Sequence, residues 1–131
     1  MSDTLEAFIL EGPEREVDAW WAEKGMGIRT CLLEEGPPGE CRLEPYDVTD
    51  FNDVGYPIPH YTTDRALSHV IEDRLASDEI NKPWYYAHEL LQIVTGGPTL
   101  QPNEIPALWK VLAATNRQRI LAAARAMGLE R

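Results

Sequence analysis

A chain of 131 residues, 44% hydrophobic with a net charge of −10, is long enough to bury one core without staples and too apolar to be a disordered tail. It contains no apolar run near the ~18 residues a bilayer crossing needs, and its acidic start, Met1-Ser2-Asp3-Thr4-Leu5-Glu6, lacks the basic region of a signal peptide. Two cysteines, Cys31 and Cys41, and three scattered histidines (His60, His69, His88) match no zinc pattern, so no metal, no cofactor and no structural disulfide is expected in a single cytoplasmic domain.

Leu5, Phe8 and Ile9 fall at i, i+3 and i+4, which predicts a short helix over residues 4–10 closed by Gly12. Pro13 suits the first turn of a second helix, whose apolar stripe is Val17, Trp20 and Trp21, extended by the stem of Lys24 and ended by Gly25 or Gly27. Residues 28–33 and 40–44 are β-compatible runs around Gly36-Pro37-Pro38-Gly39 and predict a hairpin. Its register stays open, and with it whether Cys31 faces Cys41.

Residues 45–59 read as irregular, with Tyr46, Phe51 and Tyr56 expected to pin the segment to the core. Pro57 and Pro59 force an extended approach to the next helix. Thr62 or Thr63 is expected to N-cap it, Asp64 complements its positive end, and Leu67, Val70, Ile71 and Leu75 mark its buried face. His69, between Arg65 and Asp73 in helical space, reads as a surface residue.

Residues 84–95 favour a helix by their length and their stop at Gly96-Gly97-Pro98, with a strand as the alternative because of the aromatic start and β-branched end. Ile105, Leu108, Trp109 and Leu112 form a further helical stripe. Thr115 then N-caps a helix over residues 116–127 with Ile120, Leu121 and Ala124 inward, Arg125 at its negative end and Gly128 closing it. Trp20, Leu67, Val70, Ile71, Leu108, Leu112, Ile120 and Leu121 are the expected core.

Charge divides the chain. Residues 1–64 hold 15 acids against 4 bases, a net of −11, whereas residues 65–131 hold 7 acids against 8 bases, a net of +1. The densest tract runs from Glu34 to Asp53, with Glu34, Glu35, Glu40, Glu44, Asp47, Asp50 and Asp53 against Arg42 alone. Such a surface repels phosphates, so direct nucleic-acid binding there is disfavoured, and it attracts a basic surface on a partner protein. Its plain alternative is a solvated face that keeps the protein soluble.

Recognisable chemistry is scarce. No Gly-x-Gly-x-x-Gly, phosphate loop or Gly-x-Ser-x-Gly elbow occurs, and a Pro/Gly-rich loop is a poor frame for paired catalytic carboxylates. Hydroxyls and amides of Tyr61, Thr62 and Thr63 at a helix start, beside Tyr56, offer a pocket for a nucleotide or other anion. Asp64 brings its own negative charge there, and capping is the plainer role.

Two segments resemble the phage ABA-sandwich domain, a family of small phage and prophage proteins without an assigned activity. Gly12-Pro13-Glu14-Arg15-Glu16-Val17-Asp18-Ala19-Trp20-Trp21-Ala22-Glu23-Lys24-Gly25-Met26-Gly27 is similar to the family's opening helix and Met-Gly turn. Pro59-His60-Tyr61-Thr62-Thr63-Asp64-Arg65-Ala66-Leu67 is similar to its Pro-x-Tyr-Ser/Thr-Thr-Asp stretch, and residues 114–124 resemble its closing Ala-rich helix. The resemblance implies a phage or prophage origin and a bacterial host cytoplasm, and it transfers no catalytic residue. Family members usually carry strands around aromatic residues where residues 84–112 here read mostly helical.

The expected fold is therefore α+β, a helix-rich single domain with a small antiparallel sheet, like the ABA sandwich. The leading functional expectation is a non-enzymatic accessory protein working by protein–protein contact, with residues 34–53 occupying a basic surface of a host factor or defence protein. Two other classes stay open: a nucleotide-binding or nucleotide-sequestering protein using Tyr56, Tyr61, Thr62 and Thr63, and an enzyme whose site is assembled from distant residues.

Overall fold

The computed structural model describes residues 2–40, 42–49, 55–76, 81–96 and 110–130. Helix α1 (Ser2–Glu11) and helix α2 (Glu14–Lys24) are separated by the Gly12-Pro13 break. Gly12 donates its N–H to Phe8 O at 2.8 Å, and Pro13, in extended geometry (φ −58°, ψ 132°), is the N-cap of α2 rather than part of its first turn. Phe8 and Trp20 pack edge to face across this corner, with ring centroids 6.0 Å apart. Gly25 ends α2 where any Cβ would sit 2.4 Å from the Trp21 ring, so a side chain there is sterically barred.

Strands β1 (Thr30–Glu35) and β2 (Arg42–Asp47) form the expected hairpin, and β3 (Tyr56–Pro57) adds to β2 in the sheet order β1-β2-β3, antiparallel throughout. The register puts Cys31 opposite Tyr46, Leu32 opposite Pro45 and Glu34 opposite Leu43. Cys41 lies outside the described residues, as do Asp50, Phe51 and Asp53.

Residues 45–47 and 56–57 are thus sheet, not irregular chain. Pro45 tolerates a central strand because its missing N–H would point towards β3. Ile58 N donates to Pro45 O at 3.0 Å, and the carbonyl of Ile58, which a residue other than proline would have satisfied, instead accepts from Arg15 Nη2 at 2.7 Å. Tyr56 does not pin this segment to the core: it is 65% exposed, on a two-residue strand at the sheet's edge.

The chain then reaches a 3₁₀ turn (Arg65–Leu67) that runs into α3 (Ser68–Ala76). Neither Thr62 nor Thr63 is its cap. Asp64 is, its Oδ1 accepting from Ala66 N at 3.0 Å, because residues 60–64 form a separate turn in which Asp64 N donates to His60 O at 2.8 Å. Ile71 and Leu75 are buried, with Leu67 and Val70 half-buried against them, and His69 is exposed.

Residues 81–95 are helical (α4, Asn81–Thr95), which excludes the strand alternative. Residues 110–112 end another helix, while Ile105, Leu108 and Trp109 of that stripe lie outside the described residues. Leu112 is 66% exposed, against expectation, because the helix stops there and Val111 takes the inward position. Helix α5 (Asn116–Met127) carries a full capping box, Thr115 Oγ1 accepting from Gln118 N while Gln118 Oε1 accepts from Thr115 N. Gly128, at φ 70°, closes it in a left-handed cap.

Helix α5 is the centre of the core. Ile120, Leu121, Ala122, Ala123 and Ala124 are all buried, and the small alanines let α4, α1 and α3 approach it closely. Arginines of the second half close carbonyl ends of the first: Arg117 Nη1 donates to Gly12 O at 2.8 Å, and Arg74 Nε to Gly25 O at 2.8 Å. The result is an α+β fold with a helical core and a small antiparallel sheet.

Candidate functional site

Two regions of the acidic half concentrate charge, and the first lies where the two segments of the family resemblance meet. Asp18 faces inward on α2 and is fully buried. Its Oδ1 accepts from Thr62 N at 2.8 Å and its Oδ2 from Arg15 Nη1 at 2.9 Å. Arg15 also donates from Nε to Glu44 Oε2 at 3.1 Å and reaches the carbonyls of Ile58 and Pro59. From the other side, Asn116 Nδ2 donates to Tyr61 O at 2.8 Å and Asp64 O at 2.7 Å.

The turn over residues 61–64 is therefore clamped between α2 and α5. Every charge in this cluster has a partner of opposite sign, which is the condition under which buried ions are tolerated. Its charged groups are spent on one another, so the arrangement holds the fold. Burial and the nearby Asp47 and Asp18 carboxylates raise the Tyr61 pKa, keeping that phenol neutral.

The second region is the far end of the hairpin. Glu34 and Glu40 are exposed and Glu35 is half-buried, and none of their three carboxylates has a hydrogen-bond or ion-pair partner among the described residues. The tract from Glu34 to Asp53 is thereby split. Glu44, 9% exposed and bound to Arg15, belongs to the frame and not to an exposed binding face. Asp47 is half-buried and accepts from Thr49 N.

The proposed nucleotide residues separate too. Thr62 and Thr63 line a shallow hollow of about 240 Å³ together with Arg65, Thr115 and Asn116. Neither tyrosine lines it: Tyr61 is buried and Tyr56 stands exposed on β3. The Thr62 hydroxyl is buried without a partner among the described residues, and its backbone N–H is already committed to Asp18.

A larger groove of about 490 Å³ runs between α2 and the hairpin, with Trp20, Leu32, Leu43 and Pro45 as its apolar surface and Glu16 and Glu23 along it. The half-buried thiol of Cys31 lines it, but no histidine does, so a Cys/His nucleophile pair is not assembled there. Among the described residues no three His, Cys, Asp or Glu side chains are placed to hold a metal ion, and no helix is long and apolar enough to cross a membrane.

Comparison with known proteins returned no match: no family model, no curated protein and no solved structure is similar to this chain. The resemblance to the phage domain thus stands on its motifs alone.

Sequence reasoning missed Asp18, Asn116 and the groove. Asp18 had a signal: it lies beside Val17 and three and four residues before Trp21 and Ala22, on the apolar stripe, with Arg15 one turn earlier to neutralise it. Asn116 had none, since its partners are the carbonyls of residues 52 and 55 positions away.

Proposed function

We propose that this protein is a non-enzymatic accessory protein that acts by contact with a basic surface on another protein, through the far end of its hairpin, Glu34, Glu35 and Glu40. The observation that carries the reading is that these carboxylates, two exposed and one half-buried, have no partners among the described residues, while Glu44 nearby is bound to Arg15. Uncompensated charge of one sign raises the encounter rate with a partner of the other sign and selects against acidic ones. The phage-like motifs support a bacterial host cytoplasm as the setting and a host factor or defence protein as the target. The hollow beside Thr62 supports a nucleotide ligand less well, because among the described residues no aromatic side chain lines it to stack on a base.

The test is partner capture at low and moderate salt with the native protein and a Glu34→Lys/Glu35→Lys/Glu40→Lys variant. Native capture should weaken as salt rises and the variant should capture nothing. Because the substitutions are on the surface, the variant's unfolding free energy in urea should match the native one within about 0.5 kcal/mol. Capture that survives charge reversal at both salt levels rejects the acidic contact.

A further inference from the structure

The hairpin has a second unused feature, and it is a backbone one. In an antiparallel pair, residues alternate between those that bond across the ladder and those whose N–H and C=O point the other way. Val48 N donates to Arg29 O at 2.8 Å, so the pair formed by residues 29 and 48 is a bonded one. Counting along the register, Cys31/Tyr46 and Leu33/Glu44 are bonded pairs, and Thr30/Asp47, Leu32/Pro45 and Glu34/Leu43 are not. Pro45 gives the same phase independently, since its carbonyl is taken by Ile58 on the β3 side.

The N–H and C=O groups of Thr30, Leu32 and Glu34 therefore point away from β2, along the open side of β1. Strand β1 is one edge of the sheet, and among the described residues no backbone hydrogen bond is made on that side. The edge contains neither Pro nor Lys, the residues that usually blunt one. Leu32 and Leu43, 59% and 57% exposed, line the groove beside it with Trp20 and Pro45.

We propose that β1 binds an extended segment of a partner protein as an added strand, with apolar residues entering the groove and Lys or Arg residues flanking them. This deepens the acidic-contact reading and rests on it. The backbone ladder supplies affinity, and side chains at alternate positions supply selection. Charge complementarity fixes the occupant: Glu16 and Glu23 lie along the groove and Glu34 and Glu35 close β1, while Arg15, which also lines the groove, is neutralised by Asp18 and Glu44. A second copy of this chain would bring the same four glutamates to the same place, at a net charge of −10 per chain.

The probe is a fluorescein-labelled octapeptide of alternating valine and lysine, followed by fluorescence anisotropy at low salt. Two control peptides accompany it: one with the ladder-facing amides N-methylated, and an all-lysine octapeptide. The alternating peptide should bind at least about tenfold more tightly than either, since each lost ladder bond and each empty apolar position weakens it. Leu32→Pro removes only an outward-pointing N–H and should lower affinity about tenfold. Leu32→Lys, which needs no backbone adjustment, should do the same if the proline variant fails to fold.

Equal binding of all three peptides, lost at higher salt, overturns strand addition and leaves the acidic contact standing. No binding of any basic peptide overturns both. A native dimer in analytical ultracentrifugation that Leu32→Lys dissociates makes a second copy the occupant and overturns the partner proposed.

Discussion

The middle and the turn end of the β1–β2 hairpin carry similar carboxylates in unlike surroundings. In the middle, opposite Leu33, Glu44 is folded against Arg15, which also binds the buried Asp18 and two carbonyls of the following segment. At the turn end, the carboxylates of Glu34, Glu35 and Glu40 have no partner among the described residues, and the leucines beside them are open to water. The difference lies in the supply of cations. The first 64 residues hold four bases, and one of them, Arg15 on α2, reaches Glu44 in the middle of β2. Acid density alone therefore does not tell which carboxylates the packing pairs with a cation.

That contrast is broken most sharply around Arg15. Asp18→Ala should destabilise the protein by about 3–5 kcal/mol, because it strands the buried Thr62 N–H and removes a partner from Arg15. Asp18→Asn, which keeps an acceptor for Thr62, should cost less. Urea unfolding of both variants is the check, and equal stability of Asp18→Ala and the native protein would mean that the clamp contributes nothing.

Next in size is a paired test of buried against exposed apolar residues. Ile71→Ala should cost about 2–5 kcal/mol, whereas Leu32→Ala at the hairpin should stay within about 0.5 kcal/mol. A large loss for Leu32→Ala would show that the hairpin face is already covered, and would remove the groove as a docking surface.

A third test uses the two buried phenols. Burial, with Asp47 and Asp18 nearby, raises the Tyr61 pKa; burial and the Glu72 carboxylate, to which its hydroxyl donates at 2.9 Å, raise that of Tyr86 further. Below the ordinary value of 10.0 both groups are protonated folded or unfolded, and their contribution is fully present. Above it the unfolded chain ionises while the native one does not, so stability falls as pH rises, by up to about 1.4 kcal/mol per pH unit for each group. Tyr86→Phe should cost about 1 kcal/mol at neutral pH and flatten that alkaline fall. An alkaline profile identical to the native one would place the loss elsewhere.

The smallest effect is expected at Thr62, whose hydroxyl is buried without a partner among the described residues although its N–H anchors the clamp. Thr62→Val keeps the shape and removes an unsatisfied group, so it should be neutral or stabilise by up to about 1 kcal/mol in thermal melts. A loss of more than that would mean that the hydroxyl has a role the clamp does not account for.

Local chemistry made much of the fold legible. The Thr115 cap, the Gly128 stop, the Gly12 break and the inward stripe of α5 all depend on residues within one or two turns, so their signals survive in the sequence. The hairpin was legible from its turn, but its phase was not, because phase is set by Pro45 meeting Ile58. The N-cap fell on Asp64 and not on a threonine because Asp18 and Asn116, from distant helices, hold residues 61–64 in a turn of their own. Composition by itself determined that the first half is acidic. Only the tertiary structure decided which of its carboxylates are neutralised, since that depends on which arginine the packing brings within hydrogen-bond reach.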